Sequence, residues 1–123
     1  MIRPAVFRDC DQMLRMASKF ISEAPIDLPW DAAHVGAHIK VWIESPDALA
    51  LVLDLEGKCA GMLCAATAFS PLAPVKLASE QVFWIDPEAR GNWLSDFTEA
   101  YEHWARSKAC KAVGLASLQG SRF

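Results

Sequence analysis

Glu80-Gln81-Val82-Phe83-Trp84-Ile85-Asp86-Pro87-Glu88-Ala89-Arg90-Gly91-Asn92-Trp93-Leu94-Ser95 is the stretch on which the fold turns. Period-two alternation puts Glu80, Val82, Trp84 and Asp86 on one face, with Gln81, Phe83 and Ile85 on the other. Large apolar groups fall on both faces, which is the pattern of a central strand covered on both sides. Pro87 stops the strand, Arg90-Gly91-Asn92 makes a tight connection, and Leu94, Phe97, Tyr101, Trp104 and Ala105 recur at helical spacing to about Lys108. A helix that opens directly at the end of a central strand points unpaired N–H groups and the positive end of its dipole into the crevice there. Gly91 permits the sharp turn and close approach of a ligand, and Arg90 adds a cation. Such a joint suits a phosphate, although strand–turn–helix joints with one glycine also serve as plain connections.

Working outward from this joint, Leu49 to Leu55 and Cys59 to Phe69 are apolar runs separated by Glu56-Gly57-Lys58, the pattern of a hairpin. Pro71 and Pro74 keep the next loop extended. Further upstream, Met13, Met16, Ala17, Phe20 and Ile21 form one helical stripe, and Val35, Ile39, Trp42 and Ile43 a second. Asp9 with Gln12 has capping-box spacing for the first helix, and Asp31 is a good cap for the second. A short strand around Ile2 to Val6 opens the chain, and a last strand is expected from Ala112 to Leu118. The order β-α-α-β-β-β-α-β predicts an α/β fold with a mixed, largely antiparallel sheet flanked by helices, in one domain spanning residues 1–123.

Composition narrows the function. A chain of 123 residues, 53% hydrophobic, has material for one core. Its net charge of -3 provides no basic field for nucleic acid, whereas an acidic cofactor needs only backbone amides and one or two cations. Cys10, Cys59, Cys64 and Cys110 lack CxxC spacing and sit among apolar residues, so buried free thiols in a reducing cytoplasm are expected. The start carries no signal-peptide pattern and no apolar run reaches membrane-spanning length, so no membrane partner is expected.

The segment Phe83-Trp84-Ile85-Asp86-Pro87-Glu88-Ala89-Arg90-Gly91 resembles the signature of the GNAT N-acetyltransferase superfamily, an apolar strand followed by Q/R-x-x-G-x-G/A. Ile2-Arg3-Pro4-Ala5 is similar to the family's first strand and Glu102-His103-Trp104-Ala105 to the later part of its signature helix. Within the family, the small phage-encoded members look most similar, which implies the host cytoplasm. The resemblance implies an acetyl-CoA (or CoA) cofactor, with backbone groups near Phe83 and Ile85 on the pantetheine arm. It implies that Arg90, Gly91, Asn92, Trp93, Leu94 and Ser95 hold the pyrophosphate. It further implies acetyl transfer to a primary amine, on a small molecule or a protein, with Glu80 as general base from the face opposite Phe83 and Ile85. Glu80 also reads simply as a strand-end charge.

The chain departs from the pattern at three places. Glu88 stands where the family has Q/R, and Trp93 where it has a second small residue, so the indole either points away or fills cofactor space. The sequence also stops where the family's last helix and strands are expected, which leaves a fifth strand as an open edge and predicts a homo-oligomer. These departures support an alternative, a catalytically inert GNAT-fold module that binds a host factor or a virion component.

Other residues invite plainer readings. His34 and His38 are four apart on a helix but have no third ligand beside them, so no metal is expected. His103 reads as a structural histidine, and Tyr101, on the apolar stripe, as core rather than acid. Trp30 and Trp93 are the tryptophans placed to line an acceptor site or a protein contact.

Overall fold

A sheet whose strands are apolar on both faces has two surfaces to cover, and the helices of this chain divide to cover them. The computed structural model describes residues 1–114. Its strands are β1 (Ile2–Pro4), β2 (Ala48–Leu55), β3 (Lys58–Phe69), β4 (Lys76–Ile85) and β5 (Ala112–Gly114), and its helices α1 (Cys10–Glu23), α2 (Ala32–Glu44) and α3 (Leu94–Ser107). The sheet order is β1-β2-β3-β4-β5, antiparallel throughout except for the parallel pair β4 and β5. This is the expected order of elements in the expected mixed, mostly antiparallel sheet. The part of the last strand expected beyond Gly114 lies outside the described residues.

On one face, Met13, Met16 and Ala17 of α1 and Ile39 and Trp42 of α2 pack on Val52, Met62, Cys64 and Trp84. On the other, Phe97, Tyr101 and Ala105 of α3 pack on Leu51, Leu53, Leu63, Phe83 and Ile85. Each large side chain buried this way contributes roughly 1.5–3 kcal/mol of transfer free energy. Gly61 lets α3 settle close to the sheet, because a Cβ there would lie 3.0 Å from the Trp84 carbonyl and 3.4 Å from the Phe97 ring. The β2–β3 hairpin turns on Glu56 (φ 55°) and Gly57 (φ 86°), both left-handed as a tight two-residue loop requires. All four cysteines are free, Cys59 and Cys64 buried and the other two half-buried.

Two expectations need correction. Asp31 caps α2, its Oδ1 accepting from the His34 amide at 3.0 Å. Asp9 does not cap α1. A 3-10 turn at Phe7–Asp9 precedes that helix, and the Asp9 carboxylate turns back to accept from Arg3 at 2.8 and 2.9 Å and from the Val6 amide at 2.8 Å. A charged fork outcompetes a helix amide for a buried carboxylate. Gln12, the other half of the expected box, accepts instead from the Cys59 amide at 2.7 Å.

The second correction concerns Glu80. The β3–β4 register runs Cys64↔Val82 and then Ala65↔Glu80, leaving Gln81 as the extra residue of a β-bulge. Directly paired residues share a face, so Glu80 lies with Ala65 and Ala78 on the α3 side, the side of Phe83 and Ile85. The alternation read from sequence placed it on the opposite face. The inserted residue shifts the phase by one, and Gln81 faces α2 instead, where its Oε1 accepts from Trp42 Nε1 at 2.6 Å.

Candidate functional site

The outer edge of β4 is set by its pairing with β3. The Asp86 amide donates to the Ala60 carbonyl at 2.7 Å, which makes Asp86 and Ala60 a hydrogen-bonded pair. Antiparallel ladders alternate, so the peptide groups of Phe83 and Ile85 project to the edge away from β3. Among the described residues, β5 pairs with β4 only over Leu77, Ala78 and Ser79. Glu80 is the next residue along β4.

The end of β4 is tied down by a polar hub that the sequence did not reveal. Asp86 is buried, and its carboxylate accepts from Trp84 Nε1 at 2.8 Å and from two Arg15 nitrogens at 3.2 Å each. Arg15 Nη2 also donates to the Cys59 carbonyl at 2.8 Å, so α1, β3 and β4 are joined at one point. A buried carboxylate with three donors is satisfied and orients what it holds. Here it fixes the Trp84 indole, and Arg90 lies over that ring with its guanidinium carbon 4.7 Å from the centroid.

Beyond Pro87, a second 3-10 turn (Pro87–Ala89) leads to Gly91 at φ 101°, a conformation that favours glycine. An open groove of about 450 Å³ lies there, lined by Gly91, Asn92, Leu94, Ser95, Thr98 and Glu99. Four of the residues expected to hold a pyrophosphate therefore line one groove at the N-terminus of α3. The residue before the helix, Trp93, makes no side-chain cap, so first-turn amides such as Ser95's remain available to a ligand. A Cβ added at Gly91 would meet nothing within 4 Å, so the chain leaves room beside the groove. These features fit a phosphate-bearing ligand.

Three neighbouring residues have their own placements. Trp93 packs against the core under α3 and is not among the residues lining the groove. Glu88 is exposed and pairs loosely with Lys58 across 3.8 Å. Arg90 turns back onto β4, where its Nε donates to the Ile85 carbonyl at 2.7 Å.

Glu80 is 7% exposed. Its charge reaches two buried groups. The Cys64 thiol is pushed well above its ordinary range by burial first and by Glu80 second. The Tyr101 hydroxyl is pushed up to about 12, again by burial first and Glu80 second. Tyr101 is fully buried and donates to the Gly114 carbonyl at 2.9 Å. It is the core residue expected, and it holds β5 at Gly114, which pairs with Ser79 of β4.

His34 and His38 are exposed with ring centroids 4.7 Å apart, and no group of three potential metal ligands occurs among the described residues. Trp30 is exposed, in a run with exposed Ile26 and Leu28. Among the described residues no helix is long and apolar enough to cross a membrane.

This architecture is the GNAT acetyltransferase fold. No protein-family model and no curated relative matches the sequence, so the likeness rests on solved structures. A GNAT family acetyltransferase from Staphylococcus aureus superposes with a TM-score of 0.72 at 17% identity, covering 94% of this chain and 84% of that one. A predicted acetyltransferase from Clostridium acetobutylicum, solved with acetyl-CoA, gives 0.81 at 10% identity over 94% of this chain and 79% of its own. An integron cassette protein from the mobile metagenome of Cole Harbour Salt Marsh gives 0.80 at 19% identity, covering 99% and 82%.

Proposed function

We propose that this chain binds acetyl-CoA along the outer edge of β4 and at the N-terminus of α3, and that it transfers the acetyl group to a primary amine. The observation that carries the reading is the groove, since Gly91, Asn92, Leu94 and Ser95 were singled out from sequence for a pyrophosphate and together line it. Acetyl-CoA, when bound, supplies an acyl group activated as a thioester. First-turn amides of α3 and the Ser95 hydroxyl receive phosphate oxygens, and the dipole of a 14-residue helix favours their charge. Peptide groups of Phe83 and Ile85 on the strand edge orient an amide-bearing arm by strand-like hydrogen bonds. Glu80, next along β4 from the described β4–β5 pairs, accepts a proton from the incoming ammonium, directly or through water.

Calorimetry with acetyl-CoA tests this reading. Binding is expected in the micromolar range. Ser95→Glu should weaken it about tenfold by setting a carboxylate against phosphate, while a charge of that sign in the first turn leaves folding stability the same or slightly higher. Absence of heat with millimolar acetyl-CoA would refute the proposal.

A second reading, a GNAT-fold module that binds another protein, is favoured by the exposed apolar run Ile26, Leu28 and Trp30 between α1 and α2. The same titration separates the two, because that reading needs no heat from acetyl-CoA.

A further inference from the structure

Arg90 presents a conflict if it is taken simply as a phosphate ligand. Its Nε donates to the Ile85 carbonyl at 2.7 Å, a short charge-assisted bond. Its guanidinium plane is supported by the Trp84 indole at 4.7 Å. The indole is itself held by Asp86, and Asp86 by Arg15, so the platform under Arg90 is rigid. The carbonyl that Arg90 occupies belongs to the strand edge facing away from β3. On the acetyl-CoA reading, that edge receives the amide-bearing arm of the cofactor.

We propose that Arg90 is a specificity-determining residue that selects acyl carriers bearing phosphate over the same thioester arm without it. The inference rests on the acetyl-CoA reading of the groove. Arg90 occupies the Ile85 carbonyl and closes that point of the edge. A ligand carrying only an amide N–H must displace the guanidinium and gives it nothing in return. A ligand that also carries a pyrophosphate gives the guanidinium a better acceptor, since Arg pairs with phosphate through a planar fork, and the carbonyl is released to the ligand's amide. Discrimination therefore comes partly from a built-in competitor, which penalises the wrong ligand as well as rewarding the right one. No bond is made or broken in this exchange.

The test compares CoA with pantetheine, its phosphate-free arm, on the wild-type chain and on Arg90→Met, which keeps a long apolar stem over Trp84. Thermal melts confirm that the variant is folded. Arg90→Met should weaken CoA about tenfold and strengthen pantetheine roughly threefold, the sizes expected for losing a charge-assisted contact and for removing one competing hydrogen bond. A second readout needs no activity: the Arg90 Nε–H resonance should be protected from exchange in the free chain and lose that protection as CoA saturates. Opposite signs for the two ligands support the proposal. If CoA binds the wild type but both ligands weaken alike in the variant, or Arg90 Nε–H stays protected at saturation, this inference fails and the acetyl-CoA reading stands. If neither ligand binds the wild type, the acetyl-CoA reading fails and takes the inference with it.

Discussion

Replacing Asp9 with asparagine removes one negative charge and little volume, and the structure fixes what that charge is worth. The Asp9 side chain is 3% exposed. It accepts both terminal nitrogens of Arg3 and the Val6 amide, and the Arg3 hydrogen bond is the main reason its pKa falls from 3.8 to about 2, against the opposing effect of burial. A carboxylate whose pKa is lower folded than unfolded stabilises the fold at all pH above the unfolded value. That contribution is lost as pH falls from about 4 through about 2. At about 1.4 kcal/mol per pH unit, the ionised form contributes on the order of 2 kcal/mol at neutral pH. Urea unfolding followed by tryptophan fluorescence should therefore place Asp9→Asn about 2 kcal/mol below wild type at pH 7, and the gap should shrink steadily below about pH 4. In an Arg3→Met background the same substitution should cost less than half as much, because the partner that depresses the pKa is gone. A gap that keeps its full size to about pH 3, or is equal in both backgrounds, would show that Asp9 acts as an ordinary helix cap and refute the ion-pair account.

Further outcomes follow from the packing of the helices. Tyr101 is the only tyrosine in the chain, so near-ultraviolet absorbance reads one phenol. It should titrate near pH 12 in the folded chain against 10.0 when unfolded, with stability falling as pH rises between those values. Tyr101→Phe should cost about 1 kcal/mol in urea unfolding by removing the bond to Gly114. Gly61→Ala should lose roughly 1–3 kcal/mol, because the new methyl meets the Trp84 backbone, whereas Gly36→Ala on α2, with nothing within 4 Å, should gain roughly 0.5–1 kcal/mol. Equal effects at the two glycines in thermal melts would contradict the close approach of α3 to the sheet.

Local chemistry made much of this fold legible. The left-handed pair in the β2–β3 turn, the Asp31 cap and the stop at Pro87 each depend on one or two adjacent residues, and each was readable. Gly91, Asn92, Leu94 and Ser95, which line the groove, are likewise consecutive or nearly so. What escaped depends on partners distant in sequence. Asp9 looked like a cap because its best donor, Arg3, is on a different element. The hub at Asp86 joins residues 71 positions apart. The bulge at Gln81 leaves no mark in a strand that is apolar on both faces, because either phase looks equally buried. Arg90 was expected on the pyrophosphate, and its bond to Ile85 escaped because it depends on a side chain folding back over five residues.

The bulge also makes the register of β4 matter as much as its composition. Before Gln81 the even positions Ala78 and Glu80 face α3, and after it the odd positions Phe83 and Ile85 do. Loss of Gln81 would remove the extra residue and leave one continuous alternation, in which Ala78 and Glu80 keep the face of Phe83 and Ile85. If instead Gln81 paired as an ordinary strand residue, Glu80 would turn toward α1 and α2, and exposed Ser79 would take a place under α3. The bulge thus decides which side of the sheet carries the Glu80 charge. The loop at 70–75 can change length without any such inversion.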